Sequence, residues 1–367
     1  MSVPTIDLQA AVQELESEIL QAVSRVLAHG RYVLGPEVEA FEREFAEFCG
    51  VMHCVGVGNG TDALALTLRA CGIGPGDEVI VPAYTAVATW MAVNMAGATP
   101  VGVDVREDTY NLDPSALEPA ISPRTRAIVP VHLFGQPADV SAIEAFASDR
   151  GLVLIEDSAQ AHGARYRGRT VGGLVRAASF SFYPTKNLGA IGDGGAVITD
   201  DAELADRVRL LRSYGWRTRS VSEIVGVNTR LDELQAALLR VKLARLEEWN
   251  ARRRALAGRY LEGLAGLAGL RLPHVPEWAD PVWHQFVVGV EGRDAVQRAL
   301  GGAGVETLVH YEPLPHLTPA YRDLGWAPGQ LPVAERLASR ALSLPMYPQL
   351  SPDDCDRVIE ALTAVLG

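Results

Sequence analysis

Short apolar runs alternate along the first half of the chain with stretches in which apolar residues recur every three or four positions. The short runs predict strands and the periodic stretches predict helices. A repeated order of strand, loop and helix favours a mostly parallel sheet covered by helices on both faces. The predicted strands are 51–57, 78–81, 100–105, 127–131 and 152–155, and the predicted helices are 63–70, 87–95, 113–120 and 140–149.

The two ends of the chain depart from this repeat. Before it, the pattern predicts an amphipathic helix over 10–28, and a second helix follows the break at Gly35-Pro36. After it, one long amphipathic helix is predicted from Leu231 to about Leu264, with Lys242 among its solvent-facing charges. The remainder predicts a compact α/β lobe, with strands at 283–290 and 305–310, helices at 293–301, 333–341 and 352–366, and a long loop at 311–331.

These patterns predict three parts. An N-terminal arm and helix cover 1–30, a large domain covers 31–240, and a small C-terminal domain covers 241–367. The long helix, at about 230–265, links the two domains. A chain of 367 residues is long enough for such a division. A loop as long as 311–331 is uncommon inside a compact domain, so we expect it to have a function.

Composition is typical of a soluble globular enzyme, with 48% hydrophobic and 21% charged residues. The formal net charge of −12 argues against a broad surface for nucleic acid or anionic membranes, so neither is expected as a partner. The four cysteines have no C-x-x-C spacing and are typical of reduced thiols in a cytoplasmic protein. We expect no signal peptide, and the apolar runs are too short to span a membrane.

The most informative stretch runs from Ser179 to Gly195: apolar and aromatic residues, a proline, one lysine and several glycines. Lysine and arginine total 33, yet only Lys186 and Lys242 are lysines. Arginine stays protonated, whereas a lysine with a lowered pKa can form a Schiff base. The stretch therefore indicates amine chemistry at Lys186, with a glycine-rich loop and a chance lysine as the alternative. The flanking runs 177–183 and 196–199 predict an antiparallel strand pair.

A glycine-rich segment, G-V-G-N-G-T-D, connects the first predicted strand to a helix. Free amides and the helix dipole at such a junction favour an anion, most naturally a phosphate. The dinucleotide fingerprint G-x-G-x-x-G has two residues between its second and third glycines. Here only one residue separates Gly58 from Gly60, and Thr61 stands where the third glycine is required, so the segment departs from the fingerprint. A plain turn with Thr61 or Asp62 as the helix cap is the alternative.

Two carboxylates, Glu156 and Asp157, follow a fully apolar predicted strand, at the sheet edge where open α/β folds bind ligands. A buried aspartate needs a cationic partner or hydrogen-bond donors, and a protonated pyridine nitrogen would serve. A metal held by Asp157 and His162 is the competing interpretation, but no completing ligand cluster lies nearby in the sequence.

Two further segments carry polar residues that could join the same site. Ser179 and Ser181 alternate with two phenylalanines, so the serines share one face of a strand. Asn228 and Thr229 precede the long helix, where either would also be a good N-cap. Pyridoxal 5'-phosphate needs a lysine, a phosphate site, an acid at its ring nitrogen and a donor near its phenolic oxygen, so it accounts for all of these segments together.

Seven ordered motifs resemble the DegT/DnrJ/StrS family of pyridoxal-phosphate sugar aminotransferases. The motifs are G-N-G-T-D-A-L, P-A-Y-T-A-V-A-T-W, P-V-H-L-F-G, E-D-S-A-Q-A-H-G-A, S-F-Y-P-T-K-N-L-G-A-I-G-D-G-G-A, N-T-R-L-D-E-L-Q-A-A and H-Y-E-P-L-P-H-L-T-P-A-Y. The resemblance runs from about Ile6 to the C-terminus. It is strongest to the branch that aminates C3 of dTDP-3-keto-6-deoxyhexoses.

The resemblance implies a role for each matching residue. Lys186 matches the lysine that binds the cofactor as a Schiff base and then moves the substrate's proton, and Asp157 matches the acid that keeps the pyridine nitrogen protonated. Gln160 matches the side chain beside the phenolic oxygen. The matching phosphate contacts are Gly60, Thr61, Ser181 and, from the other subunit, Asn228.

The implied architecture is the aspartate aminotransferase-like fold, type I of the pyridoxal-phosphate enzymes: a large domain with a mixed, mainly parallel sheet and a smaller C-terminal α/β domain. The resemblance also implies a homodimer with a shared active site. Where the family commonly has an aromatic residue over the cofactor ring, this chain has Ala86. Two alternatives stay open: Tyr84 covers the ring instead, or the ring is less covered.

The predicted reaction moves an amino group from L-glutamate, or glutamine, to a nucleotide-linked keto-sugar. Candidates for substrate contact are Tyr183, Arg217, Arg219, His310 and Tyr311, and Arg212 and Arg230 are further candidates for pairing with a diphosphate or carboxylate. Three alternatives stay open: amination at C4 or another pyridoxal-phosphate reaction, a non-catalytic regulator that binds the cofactor, and, least favoured, a nicotinamide-dependent oxidoreductase.

Overall fold

The protein is described by a computed structural model that covers residues 2–367. Its helices are α1 (Leu8–Glu14), α2 (Glu16–His29), α3 (Pro36–Cys49), α4 (Gly60–Ala70), α5 (Val87–Met95), α6 (Val140–Ser148), α7 (Ala202–Leu211), α8 (Glu233–Leu243), α9 (Leu246–Gly263), α10 (Arg293–Gly302), α11 (Pro332–Arg340) and α12 (Pro352–Leu366). Its strands are β1 (His53–Val57), β2 (Glu78–Pro82), β3 (Thr99–Val103), β4 (Thr125–Ile128), β5 (Val153–Asp157), β6 (Arg165–Tyr166), β7 (Arg169–Thr170), β8 (Ala177–Ser181), β9 (Gly195–Thr199), β10 (Trp216–Thr218), β11 (Val221–Ser222), β12 (Leu270–Arg271), β13 (Ala279–Asp280), β14 (Phe286–Val290) and β15 (Ala341–Leu344).

Seven strands form the main sheet, in the order β1-β9-β8-β5-β4-β2-β3. All pairings from β8 to β3 are parallel, whereas β9 runs antiparallel to both of its neighbours. The predicted α/β class with a mixed, mainly parallel sheet is therefore confirmed, as is the antiparallel pair around Lys186. Six of the seven strands consequently point the same way, and their carboxyl ends meet at one edge.

The alternating residues of β8 and β9 fill the core on both sides of this sheet. Phe180 and Phe182 pack against Phe41 and Phe45 of α3, with the rings of Phe45 and Phe180 at right angles. The residues at the alternate strand positions, including Val197, point to the other face of the sheet and pack against α4 and α7. This is the two-sided burial that the near-continuous apolar strands predict.

A three-stranded antiparallel sheet, in the order β12-β14-β15, forms a second core with α9, α10 and α12. The start of the chain joins this core, because Val3 forms a parallel bridge with Val305. Strand β15 is not predicted by the sequence pattern, since its first residue, Ala341, continues the periodicity of α11. The predicted strand at 305–310 is wrong: only isolated bridges at Val305 and Leu308 occur there.

Three segments that the pattern predicts as single helices are each divided in two in the structure. The amide of Arg245 donates to the carbonyl of Lys242, an i to i−3 bond that tightens the chain and separates α8 from α9. Leu15 makes the same kind of bond to Val12 and separates α1 from α2. Residues 113–120 form two short 3₁₀ helices, since Pro119 removes an amide that an α-helix needs. Hydrophobic periodicity passes through such kinks unchanged, which is why it does not reveal them.

The predicted solvent exposure of Lys242 is also wrong. Its side chain is buried, and Nζ donates a 2.6 Å hydrogen bond to the carbonyl oxygen of Gly189. Helix α8 packs against α2 and α3, so its lysine points into the protein instead of into water.

No helix within residues 2–367 is both long enough and apolar enough to cross a membrane.

A buried glutamate joins α8 to the start of α3. The carboxylate of Glu233 accepts hydrogen bonds from the amides of Gly35, Glu37 and Val38, at 2.8, 2.6 and 3.2 Å. Gly35 occupies the N-cap position and has no side chain of its own to cap the helix. A Cβ at that position would lie 2.5 Å from Glu233 Oε1, so the glycine makes room for the glutamate that replaces the cap.

We expect Glu233→Gln to lower the free energy of unfolding by about 2 kcal/mol, because one acceptor oxygen becomes an NH₂ group that faces amide donors. Denaturant titration monitored by circular dichroism measures this change. Glu360→Gln, on the exposed face of α12, is the matched control and should change the stability by less than about 0.5 kcal/mol. Equal effects of the two substitutions would contradict the capping role of Glu233.

Candidate active site

A cavity of about 520 Å³ lies at the edge of the main sheet where the parallel strands end. Open α/β sheets bind their ligands at this edge. The cavity brings together six residues that the sequence predicts to contact a cofactor, namely Gly60, Thr61, Asp157, Gln160, Ser181 and Lys186. Tyr183 lies at its rim, 53% exposed.

The N-terminus of α4 forms one wall of the cavity. Asn59 is the N-cap and accepts a 2.8 Å hydrogen bond from the amide of Asp62, so the alternative in which Thr61 or Asp62 caps the helix is wrong. The amides of Gly60 and Thr61 have no hydrogen-bond partner within residues 2–367. A Cβ on Gly60 would lie 2.5 Å from the Cβ of Ser181, so glycine lets the helix end approach the serine. The free amides of Gly60 and Thr61, the dipole of α4 and the hydroxyl of Ser181 together suit a phosphate.

Asp157 is the last residue of β5, and its carboxylate is held from two directions. Thr89 Oγ1 donates to Oδ2 at 2.8 Å, and the amide of Ala159 donates to Oδ1 at 3.2 Å. Burial raises the pKa of Asp157, against the lowering effects of these two donors and of the charge on Lys186. The Asp157 carboxylate is therefore held in one orientation and lacks a positive charge in direct contact. Such a carboxylate suits a cationic atom of a ligand.

Lys186 lies in the turn between β8 and β9, where its amide donates to the carbonyl of Tyr183 at 2.8 Å. Burial lowers the pKa of its side chain to about 8, although the charge of Asp157 acts in the opposite direction. A substantial fraction of the amine is consequently neutral near pH 8. A neutral amine is the form that attacks a carbonyl carbon.

Gln160 connects the cavity to the long C-terminal loop. Its Oε1 accepts from the amide of Phe134 at 2.6 Å, and its Nε2 donates to the hydroxyl of Tyr311 at 2.8 Å. His310 precedes Tyr311 in the chain, and its Nδ1 lies 2.8 Å from Ser343 Oγ. Burial, and to a smaller extent the charge of Lys186, lower the pKa of His310 to about 4. Tyr311 thus contacts Gln160, a residue of the cavity, but neither Tyr311 nor His310 lines the cavity itself. Both lie more than a hundred positions from Lys186 in the sequence.

Tyr84 does not line the cavity, so the expectation that it covers a cofactor ring is wrong. Its side chain is completely buried, and its hydroxyl donates to the carbonyl of His310 at 2.6 Å and accepts from the amide of Tyr311 at 3.1 Å. Tyr84 therefore anchors the backbone of the loop at His310 and Tyr311 through its hydroxyl. The residue that lines the cavity at this point is Ala86.

Glu156 and His162, which flank Asp157 in the sequence, are not part of the cavity. Glu156 is completely buried and accepts from the amides of Gly172 and Leu174 and from His132. His162 is enclosed by phenylalanine rings, with Phe180 at 5.2 Å between centroids. Asp157 and His162 therefore do not form the pair that the metal alternative requires.

The remaining predicted residues lie outside this chain's own cavity. Arg217 and Arg219 are exposed at the hairpin β10–β11, and Arg217 pairs with Asp206 at 2.9 Å and Glu223 at 3.0 Å. Its guanidinium is therefore occupied. Arg212 is buried in an ion pair with Glu42 at 2.5 Å and has a structural role, and Arg230 lies over the ring of Tyr214.

Asn228 is exposed, but the residue beside it is bonded to the wall that the N-terminus of α4 forms, which we call the phosphate wall. Thr229 Oγ1 donates to Asp62 Oδ2 at 2.5 Å and accepts from the amide of Gly58 at 3.0 Å. The N-cap of α8 is Asp232, so the alternative in which Asn228 or Thr229 caps that helix is wrong. Thr89, the partner of Asp157, is a functional residue that the motifs do not identify. The signal for it in the sequence is a pair of threonines four positions apart, Thr85 and Thr89, whose hydroxyls lie 2.9 Å apart in the structure.

The model of the DegT/DnrJ/EryC1/StrS aminotransferase family matches residues 13–363, nearly the whole chain. The chain belongs to this family. The chain is 57% identical over 364 residues to a protein of Saccharopolyspora erythraea described as "Erythromycin biosynthesis sensory transduction protein EryC1", covering 99% of this chain and 100% of the relative. It is 54% identical over 360 residues to a dTDP-3-amino-3,4,6-trideoxy-alpha-D-glucose transaminase of Streptomyces venezuelae, covering 98% of this chain and 95% of the relative.

Among solved structures, the chain resembles S. venezuelae DesV in complex with a ketimine intermediate. The TM-score is 0.98 at 54% sequence identity, and the likeness covers 99% of this chain and 98% of that one. The resemblance inferred from the motifs is therefore confirmed at the level of the family, and the expected fold of a pyridoxal-phosphate aminotransferase is confirmed with it.

The two lysines allow a direct test of the electrostatics. In ligand-free protein labelled with ¹³C-lysine, we expect only two side-chain signals, each with a pKa of about 8 instead of 10.5. Asp157→Asn removes the negative charge that raises the pKa of Lys186, so the midpoint of Lys186 should move below 8 while that of Lys242 stays in place. Lys242 is thus the internal control. An unmoved Lys186 midpoint would show that Asp157 does not act on it.

Proposed function

We propose that this protein is a pyridoxal-phosphate-dependent aminotransferase that moves an amino group from L-glutamate, or glutamine, to the C3 keto group of a dTDP-linked 3-keto-6-deoxyhexose. The observation that carries the proposal is the presence of Lys186 and Asp157 in one cavity that also contains the open N-terminus of α4. Amine, acid and phosphate site are the three groups that this cofactor needs.

The residues of the cavity fit pyridoxal 5'-phosphate. Gly60 and Thr61 would bind its phosphate through their free amides, with the hydroxyl of Ser181 beside them, and Gln160 would donate towards the phenolic oxygen. Asp157 would hold the proton at the ring nitrogen. When bound, this cofactor supplies an electron sink that stabilises negative charge on the substrate carbon.

The chain's own residues then divide the work of proton transfer. The amine of Lys186 would hold the cofactor and, once released by the amino donor, would accept the proton from the donor's reacting carbon and carry it during the transfer. Its pKa of about 8 lets it accept and give up this proton near neutral pH. Thr89 fixes the orientation of the Asp157 carboxylate through the 2.8 Å hydrogen bond.

We propose a homodimer in which each cavity is completed by the other subunit. Asn228 and Arg219 are exposed and do not line the cavity of their own chain, which is what residues that serve a neighbouring subunit require. Asn228 would reach the phosphate, and Arg219, which makes no ion pair within residues 2–367, would meet the diphosphate of the sugar nucleotide. Arg217 is a weaker candidate because its ion pairs occupy it.

For the sugar itself, we propose contacts from Tyr183, His310 and Tyr311. The small C-terminal domain, 241–367, would thereby contribute to a site built mainly by the large domain, 31–240.

Amination at C3 is supported by the name of the S. venezuelae relative, a 3-amino-sugar transaminase. The description of the S. erythraea relative as a sensory transduction protein favours a second candidate, a regulator that binds the cofactor without turnover. The four free thiols support a cytoplasmic location.

A spectroscopic test separates the two candidates. We expect purified protein loaded with pyridoxal phosphate to be yellow and to bleach when L-glutamate is added without sugar. Lys186→Ala and Lys186→Arg should both fold and both fail to turn over, because arginine keeps the charge but cannot form a Schiff base. Wild-type turnover by either variant would overturn the proposal. A protein that cannot be loaded with the cofactor would overturn both candidates.

A kinetic test addresses the second subunit. Arg219→Ala should raise KM for the sugar nucleotide about tenfold or more, since a charge-assisted contact to phosphate contributes roughly 1.5–3 kcal/mol. Arg217→Ala is the matched control and should leave KM within about twofold, because an exposed ion pair contributes little. Equal changes in KM for the two variants would contradict the assignment of Arg219 to the diphosphate.

A further inference from the structure

A second cavity, of about 260 Å³, shares Lys186 with the candidate active site. We call it the rear cavity. Its walls come from α1, from the segment 184–191 that carries Lys186, from the junction of α8 and α9, and from 347–349. None of the residues in the proposed transamination mechanism other than Lys186 lines it, so the reaction does not account for it.

Two buried cations line the rear cavity without a counterion. Lys242 is 6% exposed, and its hydrogen bond to Gly189 uses one of three ammonium donors. Arg253 is 3% exposed. Its Nη1 donates to the carbonyls of Trp283, His284 and Met346, whereas its buried Nε–H has no hydrogen-bond partner. Within residues 2–367 neither side chain forms an ion pair. Burying a charge without a partner is costly, so such groups are usually compensated by an anion.

The one carboxylate of the rear cavity does not supply this compensation. Asp7 Oδ1 accepts a 2.9 Å hydrogen bond from the amide of Ala10 and caps α1. The remaining wall is largely apolar, with Leu8, Val12 and Trp249 among its residues. An inorganic anion would satisfy the cations and leave this apolar surface uncovered, whereas an anion with an apolar body would satisfy both.

We propose that the rear cavity binds a small molecule that carries one carboxylate and a short apolar body. The carboxylate would meet the ammonium of Lys242, with the charge of Arg253 behind it, and the apolar body would lie against Val12 and Trp249. A cavity of about 260 Å³ limits the ligand to about ten non-hydrogen atoms, since an apolar cavity of about 150 Å³ holds benzene. Because Lys242 also holds the carbonyl of Gly189, a ligand at this position touches the anchor of the segment that carries Lys186.

Fluorine NMR of the cofactor-loaded enzyme with 4,4,4-trifluorobutyrate tests this proposal. The acid has the required carboxylate and apolar end, and 4,4,4-trifluorobutyramide has nearly the same shape without the charge. We expect saturable binding of the acid and binding of the amide that is weaker by about tenfold or more, which corresponds to about 1.4 kcal/mol or more. No saturable binding of the acid, or equal binding of acid and amide, would overturn the proposal.

Two variants, on different elements that line the rear cavity, locate the ligand. Lys242→Met removes the charge and keeps a chain of similar length, and Ala11→Phe fills the cavity from α1. Both should weaken binding of the acid by about tenfold or more, whereas Gln13→Phe, at an exposed position close to Ala11 in the sequence, should bind like the wild type. If Lys242→Met fails to fold, Ala11→Phe decides alone. Undiminished binding in the folded variants would place the ligand elsewhere and refute the assignment.

Discussion

Opposite charges on Asp157 and Lys186 share one cavity at the edge of the sheet, and the structure keeps them from forming a direct ion pair. Burial moves the pKa of the acid up and that of the amine down, so both groups have a reduced tendency to ionise and both remain available to a ligand. This balance depends on strand register. Asp157 pairs with Ser179, and Ser181 pairs with Gly195, which fixes where the turn with Lys186 begins. A slip of one residue would turn these side chains to the opposite face of the sheet.

Carboxylates other than Asp157 hold the walls of the cavity in place. Glu233 receives three amides at the start of α3, and Asp62 receives the hydroxyl of Thr229. These contacts connect residues separated by more than 160 positions, and they fix the segment with Asn228 beside the phosphate wall. Glu156 does the same for the loop at 172–175 beneath Asp157. Burial of Glu233 and of Glu156 is tolerable because amide donors surround each carboxylate.

The sequence reveals the groups whose chemistry follows from strand ends and unusual residue types, and it hides those that depend on packing between distant segments. Lys186, Asp157 and Gly60 stand at the ends of apolar runs, so their meeting at one edge could be predicted from a parallel sheet. Thr89 touches Asp157 only because packing of α5 against β2 and β3 brings its first turn beside the end of β5. Tyr84 does not line the cavity because its hydroxyl is bonded to the backbone of His310 and Tyr311. Lys242 looked exposed because charge alone does not show which way a helix face turns.

The scarcity of lysine has a chemical consequence of its own. Aldehydes condense with accessible primary amines, and an aldehyde cofactor would do so at many positions on an ordinary protein surface. Here one lysine is half-buried in the active site and the other is buried behind it, while the exposed positive charge belongs to guanidinium groups. No lysine side chain therefore competes for the aldehyde at the surface. For the same reason, amine-directed reagents should leave the arginine charges of the surface unchanged, and any lysine that they label reports on the interior of the folded enzyme.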